Sequence, residues 1–456
     1  MRYCNFFNSE RMSKLFLRND SKLINRWAMY DWANSVYSLT IATAIFPIYY
    51  ISVTAAINNG TVSFIGREYV NNALYSYALS FSFLIVAFIS PLLSSIADFK
   101  GNKLSFMQFF CYLGAGSCAA LFWFTGENVT FGIFFFVLAS IGFAGSIVFY
   151  NAFLKEIVDE KDQDRVSAKG FAWGYAGSVI LLIVNLVMIQ FYDSFGFADK
   201  SVPSRLSFVM VGIWWAGFAQ IPFYALRRFK YVPPVSDDIS AEKKLTMNSF
   251  FGGYHELRKV WFQLRHYSSL KYYLLAFFFY NSAVQTVMYL ATIFGTEELK
   301  LGQTKLIITV LIIQLVAIAG AGLFSRLSAK YGNIRSLTVA ILIWILICIA
   351  AYLTNNEYQF YAIAFAVGMV MGGIQSISRS TYSKLVPPTK DTASFFSFYD
   401  VTEKMATVFG TAIYGLVLEL TGNMRNCILV LILFFIVGLI LLSTIRKEKA
   451  LRATVV

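Results

Sequence analysis

The chain has 456 residues, of which 57% are hydrophobic and only 14% charged, where soluble globular domains carry about 25% charged residues. So large an apolar fraction cannot be enclosed in one core and must face lipid, which excludes a water-soluble fold. The formal net charge of +13 is then no sign of nucleic-acid binding, because basic residues in a membrane protein mark the loops on one face and contact anionic lipid there.

The first 26 residues are basic and polar, without the apolar core and cleavage site of a signal peptide, and Met12 is an alternative start. Crossing a bilayer core of about 30 Å takes roughly 20 apolar residues per helix. That length predicts twelve spans: 28–57, 72–95, 104–124, 130–152, 168–191, 206–226, 271–293, 305–325, 336–354, 357–378, 395–419 and 424–445. The expected fold is an all-α integral membrane protein with twelve transmembrane helices in two pseudo-symmetric six-helix bundles. Most of the 38 Lys and Arg fall in the N-terminus, in alternate loops and in the C-terminus, so both termini and the 227–270 loop are expected in the cytoplasm. An even number of spans requires the same.

An internal repeat at an offset of about 230 residues points to two related halves. Asp98-Phe99-Lys100-Gly101-Asn102-Lys103 after the second span corresponds to Ala329-Lys330-Tyr331-Gly332-Asn333 after the eighth, and Ala152-Phe153-Leu154-Lys155 to Thr381-Tyr382-Ser383-Lys384. The expected division is a cytoplasmic segment over 1–27, a bundle over 28–226, a cytoplasmic linker over 227–270, a second bundle over 271–445 and a tail over 446–456.

In the first span Asp31, Asn34, Ser38 and Ala42 share one helical face. A carboxylate within a span costs several kcal/mol unless it meets a partner or water, so Asp31 is a candidate functional group. The competing reading is interfacial, with Trp27 and Trp32 as headgroup anchors and Asp31 solvated. Asp98, Gly101 and Lys103 form a tight polar turn, in which the carboxylate either latches onto a neighbouring helix N-terminus or is merely solvated. The acidic run Asp159, Glu160, Asp162, Asp164 lacks the spacing of a calcium loop and reads as solvated. Asn281 and Gln285, at i and i+4, and Gln375 are expected to line a cavity or to join helices by hydrogen bonds. Arg379, one turn from Gln375, faces either headgroups or Asp31 or Asp400 as a gate. Asp400, Glu403, Lys404, Thr407 and Thr411 share a face of the eleventh span, where Glu403 is either a coupling carboxylate or part of a brace with Lys404 or Arg379. Tyr30, Trp173 and Tyr175 are further aromatic candidates for the cavity wall, with Tyr37 and Tyr399.

Five cysteines without Cys-x-x-Cys spacing read as reduced packing residues, and both histidines, His255 and His266, fall in the linker, so no metal site is expected. No phosphate-binding glycine loop appears, so ATP is not the energy source and no cofactor is expected.

The stretch Trp27-Ala28-Met29-Tyr30-Asp31-Trp32-Ala33-Asn34-Ser35 resembles the autophagy-related vacuolar effluxer-like branch of the major facilitator superfamily. Tyr150-Asn151-Ala152-Phe153-Leu154, Ser167 through Gly170 to Gly174-Tyr175, Gly372-Gly373-Ile374-Gln375 with Ser378-Arg379-Ser380, and Phe395-Phe396-Ser397-Phe398-Tyr399 extend the resemblance over nearly the whole chain. It implies a twelve-helix carrier whose fungal relatives release amino acids from the vacuole. The chain departs from the family pattern at Glu403, where a small residue is usual, and at Thr411, where a proline is usual.

The expected function is a secondary active transporter of a small polar solute, an amino acid by the resemblance, working by alternating access with proton coupling. Its substrate or coupling residues would be Asp31, Asn34, Tyr37, Asn151, Asn281, Gln285, Gln375, Tyr399 and Glu403. Its latch would be Asp98, Gly101, Lys103, Arg379, Asp400 and Lys404. Partners are the solute, protons and the lipid bilayer; a monomer in a prokaryotic inner membrane is expected, with an organelle membrane as the alternative. Export of another metabolite or a drug-like molecule is the second reading, and a non-transporting receptor or scaffold the third. An enzyme is disfavoured, since no histidine lies within a span and no catalytic loop is present.

Overall fold

A computed structural model describes residues 15–55, 61–229, 258, 262, 267–301, 303–387, 389, 391–421 and 423–454. The first span begins earlier than its apolar stretch because Asp20 caps it, accepting from the Lys22 N–H at 2.7 Å. Helix α1 (Ser21–Val36) passes through a π-helical segment, Tyr37–Ala44, into α2 (Ile45–Ala55). In the π register each N–H bonds five residues back, as Ile45 N–H does to Thr40 O. The next but one donor would be Pro47, which has no N–H. The carbonyl five residues before it, that of Ala42, accepts from the Tyr75 hydroxyl at 2.9 Å.

Between the first two spans, where only a loop is expected, a hairpin forms from β1 (Thr61–Phe64) and β2 (Arg67–Val70). Its turn residues Ile65 and Gly66 both have positive φ, the twist a two-residue hairpin turn needs. The chain continues as α3 (Asn71–Lys100), α4 (Lys103–Ala120), α5 (Val129–Ile157), α6 (Gln163–Gln190), α7 (Ser201–Phe218) and α8 (Gln220–Arg227). The second half comprises α9 (Ser268–Glu297), α10 (Gln303–Tyr331), α11 (Asn333–Leu353), α12 (Glu357–Leu385), α13 (Thr392–Thr421) and α14 (Met424–Thr454). With α1–α2 and α7–α8 each counted as one span, these helices make twelve. Ten are long and apolar enough by themselves to cross a membrane; α9 and α13 complete the set. Most of the linker, with both histidines, lies outside the described residues, as does Cys4. Cys111, Cys118, Cys348 and Cys427 are buried and free.

Helices pack first within each half, α1 on α6 and α4 on α5, α9 on α13 and α14, α10 on α12. With no hydrophobic drive between helices in lipid, close approach through small residues supplies the contact energy. A Cβ at Gly372 of α12 would meet the Ala317 backbone of α10, so that crossing requires glycine. The two bundles then meet along α3 with α13 and along α6 with α10 and α12. The ends of the helices nearest residue 21, the 98–103 turn and residue 445 lie on one face, hereafter the terminal side.

Replacing Tyr75 by Phe removes the hydroxyl donor to the half-buried Ala42 carbonyl, which costs about 1 kcal/mol. Thermal unfolding in detergent should show a lowered midpoint for Tyr75→Phe, whereas Tyr77→Phe, at an exposed position on the same helix, should leave the midpoint unchanged.

Candidate functional site

Between the two bundles lies a cavity of about 340 Å³. Eight of the nine residues expected at a substrate site line it: Asp31, Asn34, Tyr37, Asn151, Gln285, Gln375, Tyr399 and Glu403. Asn281 is not among its lining residues. One turn from Gln285 on α9, it is buried at 5% exposure, with its Oδ1 within 3.5 Å of Gln285 Nε2. The lining residues differ in how free they are. The Tyr37 hydroxyl is shared with Ser140 Oγ at 2.6 Å, and the Tyr399 ring stacks on Phe277 at 4.4 Å. Gln375 accepts from the Tyr175 hydroxyl, a bond that crosses from one bundle to the other.

The floor of the cavity, toward the terminal side, is closed by Arg379. Asp31 sits ten residues into α1, about 15 Å along the axis, and its carboxylate accepts from Arg379 Nη1 at 3.1 Å and from the Tyr150 hydroxyl at 2.7 Å. The same Nη1 reaches Asn151 Oδ1 at 3.3 Å. Arg379 Nε donates to Ser167 Oγ at 2.9 Å and Nη2 to the Ser167 carbonyl at 2.8 Å. Phe171 lies under the guanidinium at 4.2 Å. The arginine, 3% exposed, belongs to the second bundle, and every one of these partners belongs to the first. Its planar fork can hold several acceptors at once, which a lysine could not. Residue 170 must be glycine here, because a Cβ would run into the Asp31 carboxylate, the guanidinium and the Tyr150 hydroxyl.

Two polar clusters lie below this plug. In the first, Asp98 accepts from the Ser394 N–H at 2.7 Å and the Ala393 N–H at 3.2 Å, so it caps the start of α13 across the interface. Gly101, at φ 65°, turns the chain so that Lys103 comes back to Asp98 at 2.9 Å and to Glu156 at 2.5 Å. In the second, Asp164 in the first turn of α6 accepts from Ser328 Oγ, Asn333 Nδ2 and Lys384 Nζ, each at 2.7 Å. The repeated lysines thus act reciprocally: Lys384 reaches Asp164, and Lys155 reaches the Ser383 and Val386 carbonyls.

These positions correct two sequence expectations. Asp164 is no solvated loop residue but a buried interface carboxylate; it falls on the helix face turned toward α10 and α12, which its run of acidic neighbours concealed. Trp27 is not a headgroup anchor. It is fully buried, stacked on Tyr150 at 4.3 Å and donating to the Tyr150 carbonyl at 3.1 Å. Sequence reasoning also passed over Tyr150, Glu156 and Ser167 as site residues, although Tyr150 and Ser167 stand inside the stretches that carry the resemblance.

Asp400, Glu403 and Lys404 form a third group on α13. Lys404 Nζ is 3.7 Å from Asp400 and 3.5 Å from Glu403, and Arg379 is not in this group. Glu403 and Lys404 line the cavity, whereas Asp400 lies behind them.

The family model described as vacuole effluxer Atg22 like matches residues 19–455. The chain belongs to this family. A Bacillus subtilis (strain 168) relative, the uncharacterized MFS-type transporter YxiO, is 32% identical over 95% of this chain and 97% of its own length. Autophagy-related protein 22 of Pichia angusta is 24% identical over 81% of this chain and 74% of its own length. Among solved structures, the E. coli fucose:proton symporter FucP in its outward conformation has the same fold, with a TM-score of 0.68 at 14% identity, covering 93% of this chain and 97% of that one. This member of the vacuole effluxer-like family is therefore a multi-pass membrane transporter with the major facilitator fold, and not an enzyme.

Removing one partner of the buried pair leaves the other charge uncompensated, a cost of about 3–5 kcal/mol. Gly170→Ala and Arg379→Gln should both shift the protein toward separation of the halves on the terminal side. Spin labels at the exposed positions Lys161 and Arg335, one on each bundle, should then show a longer-distance population that is minor without these substitutions; an unchanged distribution in both variants would show that the plug does not hold the halves together.

Proposed function

We propose that this transporter carries an amino acid across the membrane by alternating access, with coupling to protons. The observation that carries this reading is a cavity between the halves, closed at the terminal side, in which a carboxylate and an ammonium, Glu403 and Lys404, meet largely apolar walls. An amino acid can set its ammonium on the cavity-facing Glu403 carboxylate, its carboxylate on amide groups of the wall and its side chain on the apolar surface. The description of the family as effluxers and the name of the FucP proton symporter are consistent with export and with proton coupling, respectively.

In this reading the chain divides into a segment over 1–27, bundles over 28–226 and 271–445, a linker over 227–270 and a tail over 446–456, and it works as a monomer in a prokaryotic plasma membrane. With basic loops and both termini in the cytoplasm, the terminal-side plug closes the cytoplasmic face and the cavity opens outward. Solute bound from the outer face, or released to it, would exchange with the cytoplasm once Arg379 leaves Asp31 and the two lower clusters part. The inward-open state must replace those polar contacts by others of similar worth, because alternating states can differ by no more than a few kcal/mol if both are to be visited.

The apolar part of the wall, which includes Phe294, Ile347, Phe360 and Leu431, favours a second reading as an exporter of another amphipathic metabolite or drug-like molecule. A receptor or scaffold without transport has less need of a cavity between the halves ending on a buried ion pair.

Reconstituted vesicles should accumulate or release labelled members of an amino-acid panel when a pH gradient is imposed. Asp31→Asn and Glu403→Gln should each cut gradient-driven flux at least about tenfold, as expected from losing a charge partner worth a few kcal/mol. Flux of amphipathic metabolites but of no amino acid, in vesicles that hold folded protein, would reject the amino-acid reading and favour the second.

A further inference from the structure

Three neighbouring charged residues of α13 do not balance. Asp400 and Glu403 bring two carboxylates to one ammonium, that of Lys404. The neighbouring pair Asp31 and Arg379 is balanced within itself, so it lends no positive charge to the group. The surroundings make the surplus costly. Asp400 is 2% exposed, and among the described residues its Oδ2 has no hydrogen-bond partner. Its Oδ1 lies 3.7 Å from Lys404 Nζ, beyond hydrogen-bonding distance, and the ammonium also approaches the Phe83 ring at 5.3 Å. Glu403 differs, since its side chain is 29% exposed and lines the cavity.

Among the described residues, no other cation on the elements packed against α13 is paired with Asp400. On α3, Asp98 is held with Lys103 at the start of α13. On α5, Glu156 belongs to that same cluster. On α9, the Tyr280 hydroxyl is shared with Ser378. On α12, Arg379 is committed to Asp31 and the Tyr382 hydroxyl to the Phe395 carbonyl. On α14, Arg425 sits at the opposite end with Glu298.

We infer that Asp400, Glu403 and Lys404 form a site for one exchangeable positive charge, occupied in alternation by a proton on Asp400 and by the ammonium group of a bound solute at Glu403. A buried carboxylate with an unpaired oxygen is held most favourably as the acid. With Asp400 protonated, Lys404 serves Glu403 and the group is neutral. A solute ammonium arriving from the cavity takes over at Glu403, Lys404 turns wholly to Asp400, and the carboxylic O–H gives up its proton to water in the cavity. Both cations together would leave the group with a net positive charge in a poorly hydrated place, so each excludes the other. This makes the carrier an exchanger of an amine-bearing solute for a proton. The exchange rests on the proposed reading of an amino-acid substrate; the proton site itself does not.

Infrared spectroscopy of the full chain in lipid, at neutral pH without solute, counts protonated carboxyls at this site. The wild type should show a carboxylic-acid band that Asp400→Asn abolishes. Glu403→Gln should also abolish it, because Asp400 and Lys404 then balance, and Lys404→Met should increase it, because two carboxylates are left with no cation. These variants have nearly the size of the residues they replace, and a merely structural role would not produce this ladder. A band that survives in Asp400→Asn, or no site band in the wild type, overturns the proton site. In a second arm, the amino-acid panel and, separately, simple primary amines are added to protein in weak buffer with a pH indicator. Release of about one proton per chain from the wild type, and none from Asp400→Asn, supports the exchange. Release by simple amines alone keeps the exchange site and rejects the amino-acid substrate. If the infrared ladder holds and no amine releases a proton, the exclusion between the two cations is wrong.

Discussion

A guanidinium inside a membrane protein is tolerated only where other groups replace the water it has lost. Arg379 meets that condition entirely with groups of the opposite bundle: a carboxylate, an amide oxygen, a hydroxyl, a backbone carbonyl and an aromatic face. The interaction therefore binds the halves for as long as the arginine stays. Much of the local architecture serves it. Gly170 lets α6 come close enough for the Ser167 carbonyl to reach the guanidinium, Tyr150 orients the Asp31 carboxylate, and Trp27 stacks on Tyr150 from behind.

Below the plug the two halves grip each other by related means that have lost their sequence symmetry. In the first bundle the acid lies in the turn between α3 and α4, as Asp98, and reaches the N-terminus of α13. In the second bundle the equivalent turn has Ala329 and Asn333, and the acid stands on the other partner, as Asp164 at the start of α6. Each interface keeps one carboxylate at a helix N-terminus and one lysine, which is the chemistry a separable contact needs: strong enough to seal when dry, and readily replaced by water when the halves part. A seal of close-packed apolar side chains would have lacked that second property.

The charged groups around the cavity fall into two kinds. Asp31 and Arg379 compensate each other and connect the halves, so their state follows the conformation of the carrier. Asp400, Glu403 and Lys404 lie close together on one helix and do not compensate, so in the proposed exchange their state follows what is bound. Transport coupled to an ion needs both kinds of group within reach of one cavity.

The sequence by itself determined the solvent of the fold, the number and order of the spans, the existence of two halves and the face carrying the basic loops, because hydropathy, helix length and charge placement are local quantities. It also marked much of the polar part of the cavity wall, since a polar residue in an apolar helix has few other places to go; Asp31, Asn34, Gln375 and Glu403 were legible in this way. Only the tertiary structure decided which of them meet. Asp31 and Arg379 are 348 residues apart in the chain, and Arg379 was equally compatible with headgroups or Asp400 until α1, α5, α6 and α12 were packed together. Asp164 was misread, and the place of Trp27 left open, for the same reason, since the face each presents to a neighbouring helix is a property of the packing and not of the local pattern. The hairpin over 61–70 and the π turn relieved by Tyr75 depend likewise on contacts with other helices, which no window along the chain contains.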